Sequence, residues 1–346
     1  MGETRIVSAE RMRALTTDIF AKCGMPQADA DFMGQCLVDA DLRGVQTHGC
    51  RFVPAYYQQI KNGIINVRPR IKVVAEAPAS VAFDADNALG HIVSAEAMRT
   101  CIKRAKELGV AAATVRNSHH CGAMAYYAQM AVDAGCIGNA VTNGGVLMAP
   151  YGGIDRAVAL NPIAWAAPTG RPWAVNLDMA TSVVAGSKVN LAIEKGESIP
   201  LGWAIDKEGR PTTDPHAARE GAMLPLGGAK GYGLAVILDV LAGVLSGGRF
   251  GANQGLESFA VKEQQYAHFF LAIDIAKFMP LEVFKQRMDE MIDVLKAGRL
   301  AEGSSGIFLP GEIEYNNRLR HLREGLPYPA VVLDEIERIA AELGVG

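Results

Sequence analysis

Apolar residues recur at helical spacing through the first seventy positions. Ser8 stands where a side-chain oxygen can cap a helix, and Ala9, Met12, Leu15, Ile19 and Phe20 follow on one face. The spacing predicts a helix to about Cys23, stopped by Gly24. Pro26 opens a second helix with Phe32, Cys36, Leu37 and Ala40 on one face, ending near Gly44. A third runs from about Arg51 to Lys61 and is closed by Asn62-Gly63.

The pattern then changes. Ile71–Val74 and Val81–Phe83 read as strands. A helix is predicted from about Ser94 to Leu108, with Gly109 as its stop, and a strand from Val110 to Val115. After a polar loop come a helix from about Ala123 to Ala134 and strands at Ile137–Val141, Ile163–Ala167 and Trp173–Leu177. A helix is expected over 183–195, then a turn-rich stretch to Pro225 with Asp206–Gly209 as a hairpin tip. An apolar helix starts near Tyr232. His268–Ile275 is almost wholly apolar, which places it centrally in a sheet. Helices over 280–297 and Leu333–Leu343 complete the chain. The boundary falls near residue 70, dividing a helical domain (1–70) from a mixed sheet domain (71–314). Residues 315–346 are expected to rejoin the first, because chain ends often lie close together.

Composition narrows the function. Thirty-four basic against 37 acidic residues leave a net charge of −3 and no basic stripe, so nothing favours nucleic acid. The longest apolar run, Gly233–Ser246, is too short to cross a bilayer and carries Asp239, so it reads as a core helix and no membrane partner is expected. The six cysteines are scattered without a C-x-x-C pair, which argues against structural zinc and a compact disulfide framework. With no amino-terminal signal pattern, the expected setting is a reducing cytoplasm.

Five stretches could carry chemistry. Thr47-His48-Gly49 puts an imidazole, suited to proton transfer near neutral pH, beside a glycine that leaves room for a ligand; a helix cap is the plainer alternative. Leu226–Gly233 (LGGAKGYG) sets Lys230 among glycines near a helix start, where free amides favour an anion; a tight turn with a solvated lysine fits equally. Asn117–Gly122 (NSHHCG) links a strand to a helix, a common place for ligands, and only one of His119 and His120 is expected to face a cleft. Neither has a third ligand at recognisable spacing, so no metal site is expected. Asn176–Ser182 (NLDMATS) places Asp178 at a strand end, where it could bind a ligand or cap the next helix. Leu309–Glu312 (LPGE) is a turn without a local clue. No strand leads into G-x-G-x-x-G and no P-loop occurs.

Taken in order, DLRGVQTHG, NSHHCGAMAYYA, MAPYGG, LNPIAWAAP, NLDMATS, LPLGGAKGYGLA, HFFLAID and LPGE resemble the malate/L-lactate dehydrogenase family of the non-Rossmann type over nearly the whole chain. That family includes ureidoglycolate, diketogulonate and sulfolactate dehydrogenases and cyclic imine-acid reductases. The resemblance implies an α/β (α+β) fold in which a large, mostly antiparallel sheet domain carries NAD or NADP, beside a helical domain. It implies a homodimer and hydride transfer between NAD(P) and a small 2-hydroxy or 2-oxo acid, with a histidine as general acid/base. Reduction of a cyclic imine acid, or a member that has lost activity, are the alternatives. By resemblance His48 is the acid/base with Thr47 beside it, or His120 takes that role. His120, Cys121, Gly122, Ala123, Met124, Asp178, Met179, Ala180, Lys230, Gly231, Pro310, Gly311 and Glu312 would line the cofactor. Two positions depart from the family pattern. Its arginine four residues after the histidine is Phe52 here, with Arg51 one position early, and its T-N-P reads Leu160-Asn161-Pro162. One residue turns a helical side chain by roughly 100°, so Arg51 need not replace the missing clamp. Both changes point to a substrate with a larger or less polar group, or a differently placed carboxylate.

Overall fold

The computed structural model describes residues 3–254 and 265–345. Strand β1 (Thr4–Val7) leads into α1 (Ala9–Lys22), which Ser8 caps by accepting a hydrogen bond from Arg11 N. Helix α2 (Gln27–Leu42) follows Pro26, and two 3-10 turns, Gln46–His48 and Cys50–Phe52, lead to α3 (Val53–Lys61). Next come β2 (Lys72–Ala77), β3 (Ser80–Asp84), α4 (Gly90–Leu108), β4 (Val110–Ser118), α5 (Met124–Asp133) and β5 (Cys136–Thr142). Short β6 (Val146–Met148) and β7 (Val158–Ala159) precede β8 (Ile163–Ala167) and β9 (Val175–Met179). Then follow α6 (Gly186–Lys195), β10 (Ala204–Ile205), β11 (Pro211–Thr212), α7 (Pro215–Glu220) and β12 (Ala222–Met223). The last elements are α8 (Ala229–Asp239), β13 (Tyr266–Asp274), α9 (Leu281–Lys296), α10 (Glu312–Glu324), β14 (Leu326–Pro329) and α11 (Ala330–Glu342).

Seven strands form the main sheet, in the order β2-β3-β4-β13-β5-β8-β9. Every pairing is antiparallel except β3 with β4, which α4 connects. The expected mostly antiparallel α/β fold is therefore present, and the apolar 268–275 strand is the middle one. Alternation along β13 serves both faces. Phe270 packs under α4 and α5 with Met98, Tyr127 and Ala128, while Phe269 faces Leu238 of α8 and Ala242. A separate core gathers Met12, Phe20, Leu37, Tyr56 and, from the far end of the chain, Tyr328, Leu333 and Ile336. Leu89, at the start of α4, belongs to this second core while Val93, one turn on, belongs to the sheet core.

Several elements differ from expectation for definable reasons. Helix α4 begins at Gly90 rather than Ser94, without a side-chain cap. A Cβ at Gly90 would lie 2.2 Å from His119 O, so tertiary contact sets this start. Strand β9 sits two residues later than 173–177. Helix α8 starts three residues before Tyr232 and continues as a π turn over Val240–Val244. Helix α10 carries no apolar stripe, with only His321 buried, so periodicity is silent there. Strands β10, β11, β12, β6 and β7 form a five-stranded sheet, and β1 pairs with β14; these strands are too short to show a period. Asp206–Gly209 is the tip of the β10–β11 hairpin, as its turn residues predict.

Phe270 is fully buried and meets Tyr127 edge-on, ring centroids 5.7 Å apart. Phe270→Ala should cost about 3–5 kcal/mol in urea unfolding. A cost under about 1 kcal/mol would contradict this placement of the core.

Candidate active site

One end of the main sheet collects the loops that matter. Ser118 ends β4, Thr142 ends β5 and Met179 ends β9; Ile163 starts β8 and Tyr266 starts β13. The registers Tyr266–Ser118, His268–Thr142, Val141–Ile163 and Ile163–Met179 set these five positions side by side. Further hydrogen bonds draw the loops together. Thr181 N and Oγ1 both donate to Leu160 O, at 2.9 and 2.7 Å, and Leu226 N donates to Thr181 O, at 2.8 Å. The glycine loop of 226–231 thus hangs from the same sheet end.

The loop after β4 is held from below. His119 N donates to Ala88 O, Gly90 N to His120 O, and Tyr127 Oη to Cys121 O. Gly122 has φ +71°, and a Cβ there would lie 2.5 Å from His91 Nε2, so both backbone and space demand glycine. His119 is buried while its neighbour His120 is part-exposed. His268 lies fully buried beneath, bonded to Thr142 Oγ1 and Ser118 Oγ at 2.8 Å each.

The helical side supplies the other wall. His48 ends one 3-10 turn and Phe52 the next, with Tyr56 one helical turn further on. Their rings meet His120. His48 and His120 stack with centroids 5.7 Å apart and planes at 24°, and Phe52 stacks on His120 at 4.8 Å. Tyr56 Oη lies 2.5 Å from His120 Nδ1, and Thr47 Oγ1 lies 3.0 Å from His48 Nδ1. His91 meets Tyr56 edge-on at 5.6 Å, and Tyr266 meets His120 at 6.2 Å. His48 and His120 are part-exposed, with the rings of Phe52 and Tyr56 packed around them. That enclosure pushes the His48 imidazolium down to about 4 and holds His120 well below the usual histidine range. The same burial pushes the Tyr56 phenol well up, so it stays protonated.

The remaining expected residues fall as follows. Gly49 does not open room for a ligand, because a Cβ there would sit 1.9 Å from Asp41 Oδ1. Asp178 caps no following helix; its Oδ2 accepts from Ala125 N at 2.8 Å, capping α5, which joins β9 to the segment 120–124. Met179 packs partly buried on the α8 side of the sheet, with Ala180 next to it at the strand end. Lys230 is exposed in the first turn of α8, which has no side-chain cap, and makes no ion pair among the described residues. Gly231 is required, since a Cβ would meet Leu226 O at 2.2 Å. Pro310 O accepts from Asn176 N on the outer edge of β9, Gly311 (φ +91°) packs over Ala174 O, and Glu312 pairs with Lys296. Beside them lies a cavity of about 590 Å³ lined by Arg43, Tyr126, Trp173, Asn176, Gly311 and Tyr315. Arg51 reaches away to Glu194 at 3.6 Å, while Leu160 packs against Met148, Val158, Tyr232 and Ala235.

Tyr56, His91, Tyr266 and Asn161 join this region without having been singled out. Tyr56 had a signal, because it follows Phe52 at i+4 on one helix face. The others are brought in by long-range pairing. Asn161 is fully buried at φ +38°, donates to Ala235 O and leaves its Oδ1 without a partner among the described residues. An orphaned acceptor, an uncapped helix start and an exposed lysine, all at one sheet end, fit a ligand with both donor and anionic groups, as a nicotinamide dinucleotide has.

Comparison with known proteins gives the family. A family model described as malate/L-lactate dehydrogenase matches residues 7–337. Malate dehydrogenase of Pyrococcus horikoshii is 40% identical, covering 98% of this chain and 96% of the relative. Its solved structure superposes with a TM-score of 0.90, covering 100% of this chain and 98% of that one, at 37% identity. L-sulfolactate dehydrogenase of Methanocaldococcus jannaschii is 38% identical with 98% of both chains covered, and its structure gives a TM-score of 0.92 over 99% and 98% of the two chains. Ureidoglycolate dehydrogenase (NAD(+)) of Escherichia coli K12 is 33% identical over 92% of this chain and 91% of its own. The fold and the matches define a dehydrogenase acting on a CH–OH group. The chain belongs to the malate/L-lactate dehydrogenase family.

Five of the seven histidines are held neutral by burial: His48 and His119 at about 4, His91 and His268 at about 3, and His120 well below its usual range. Unfolding returns each to near 6.5, so below that pH the unfolded chain takes up protons the folded one refuses. Their contribution is complete above pH 6.5 and is lost as pH falls toward 4. Asp41 and Asp178, each pushed up to about 6 by burial, oppose this, as do the raised carboxyls of Asp29, Glu96 and Asp239, but the five depressed histidines lose more between pH 7.5 and 5 because they begin to do so at a higher pH. The urea midpoint should therefore be clearly lower at pH 5 than at pH 7.5; an equal or higher midpoint would contradict the burial of this cluster.

Proposed function

We propose that the protein catalyses reversible hydride transfer between NAD or NADP and a small 2-hydroxy or 2-oxo acid, with His48 as general acid/base. The observation that carries this is the stacked His48–His120 pair, part-exposed and with different hydrogen-bond partners on the two rings. Tyr56 stays protonated and is suited to donate to His120 Nδ1, which puts the His120 proton on Nε2. His120 then acts as a neutral donor toward the substrate oxygen. With Thr47 Oγ1 accepting from Nδ1–H, His48 keeps the lone pair on Nε2 and is the ring free to exchange a proton. At neutral pH His48 is unprotonated, which suits it to take the alcohol proton. In the reductive direction it must first be charged, which a bound carboxylate favours.

NAD(P), when bound, supplies or accepts the hydride at the carbon bearing that oxygen. Segments 120–124 and 178–180, Lys230-Gly231 and Pro310–Glu312 are the residues proposed to hold it. Phe52 presents an aromatic wall where a carboxylate clamp is absent, and Arg51 is engaged by Glu194. With Leu160 apolar as well, the substrate favoured is one with a bulkier or less polar group than malate or lactate. The same wall suits a cyclic imine acid, and Δ1-piperideine-2-carboxylate reductase of Pseudomonas syringae pvar. tomato superposes at a TM-score of 0.87 with 27% identity. The reading includes a helical unit of residues 1–70 joined by 315–346, supported by their shared core. It includes a homodimer, supported by the exposed Val236, Ile237, Val240, Val244 and Leu245 along α8 and its π turn. It also includes a reducing cytoplasmic setting, consistent with six free cysteines.

Assay of 2-oxo acids and cyclic imines with NADH and NADPH in parallel identifies the substrate. On that substrate His48→Ala should lower turnover roughly a hundredfold or more and leave cofactor binding intact by fluorescence titration. Normal turnover in the variant would overturn the assignment of His48.

A further inference from the structure

We infer that Asp41 is a positioning residue for His48, its buried carboxylate tying the catalytic turn to the carboxyl-terminal segment of the chain. The inference rests on the role proposed above for His48. Asp41 lies in the last turn of α2 and is fully buried. Its Oδ2 accepts from Cys50 N at 2.9 Å and from Tyr328 Oη at 2.6 Å. Its Oδ1 has no hydrogen-bond partner among the described residues and faces the backbone of Gly49, so close that a Cβ would sit 1.9 Å away. One carboxylate therefore sets both residues that follow His48.

The preceding side is tied to the same place. Gln46 Nε2 donates to Pro327 O at 2.5 Å, one residue before Tyr328. Helix α10 adds three more ties just upstream: Arg318 pairs with Asp39, Asn317 Nδ2 donates to Arg43 O, and His321 Nδ1 donates to Leu42 O. Residues 317–328 thus hold residues 39–50 along their length. The turn needs this, because its own bonds are few: His48 N to Val45 O, Gly49 N to Gln46 O and Phe52 N to Gly49 O. A carboxylate buried with one oxygen unpaired is a poor choice for stability alone, since desolvating it costs more than a neutral residue of that shape. It suits a site where geometry decides, because a catalytic group displaced by about 1 Å can lose roughly a hundredfold in rate.

The test uses the full-length chain and the substrate found in the screen above. Asp41→Asn, Tyr328→Phe and His48→Ala are compared by kcat and KM, by NAD(P)H titration and by thermal unfolding. Asn keeps the shape and one acceptor while removing the charge. Asp41→Asn should lower kcat roughly tenfold or more, with cofactor affinity within about twofold and Tm unchanged or higher. Tyr328→Phe should give a smaller loss of the same kind, and the double variant should lose no more than Asp41→Asn alone. In the histidine Cε1–Hε1 spectrum, the peak missing from His48→Ala should shift in Asp41→Asn. Parental kcat in Asp41→Asn with His48→Ala inactive overturns this inference alone. Full activity in His48→Ala overturns both this inference and the role of His48. A kcat loss that tracks a Tm drop of more than about 10 °C and weakened cofactor binding makes Asp41 merely structural. If Asp41→Asn does not fold, Tyr328→Phe decides by the same readings.

Discussion

Two imidazoles stacked 5.7 Å apart on an enclosed floor cannot both carry charge, and the rest of the site depends on that constraint. Each ring comes from a different hydrophobic core. His48 follows α2, which packs with α1, α3 and the returning α11, while His120 follows β4 of the main sheet. The two rings can meet only if both cores are held in register. Helix α4 does this directly, with Leu89 in one core and Val93 in the other. Phe52 and Tyr56 pack beside them, so each part-exposed imidazole is flanked by other rings. Burial then holds the pair neutral, and the two rings have different hydrogen-bond partners, Thr47 and Tyr56.

Backbone closeness makes this enclosure possible. Gly90 lets the start of α4 lie against His119 O, Gly122 lets the loop after β4 pass over His91, and Gly49 lets the turn lie on the Asp41 carboxylate. At these places a side chain would separate elements that must touch. The two positions that depart from the expected pattern lie elsewhere: Phe52 stacks between His120 and Tyr56, and Leu160 lines a small satellite core. The family's scaffold is present, and the residues stacked or packed at these two positions, Phe52 and Leu160, are apolar.

Much of this was legible in order along the chain. A strand running into NSHHCG and a helix leading out placed His120 at a sheet end, and the apolar run from His268 identified the middle strand. THG between two helical stretches located His48. The physical role of Gly49 was misjudged, because the residue it makes room for lies eight positions earlier and points inward from α2. Helix α10 shows no apolar stripe because its ties to α2 are polar and its Ile313, Leu319 and Leu322 are exposed. Strands β1 and β14, some 320 residues apart, pair over four positions each and show no period. His91 sits mid-pattern in an apolar stretch, and only the fold brings it beneath Gly122. Local spacing reports what a residue does to its neighbours in sequence; Asp41, His91 and Asn161 act on neighbours in space.

The most direct test of the central claim is a crystal structure of the protein soaked with NADH or NADPH. The account predicts the nicotinamide ring at the sheet end, against His120 and within reach of His48, with the phosphates near the uncapped start of α8 at Gly227–Lys230. A dinucleotide bound away from both the Thr47-His48-Gly49 turn and that loop would contradict it.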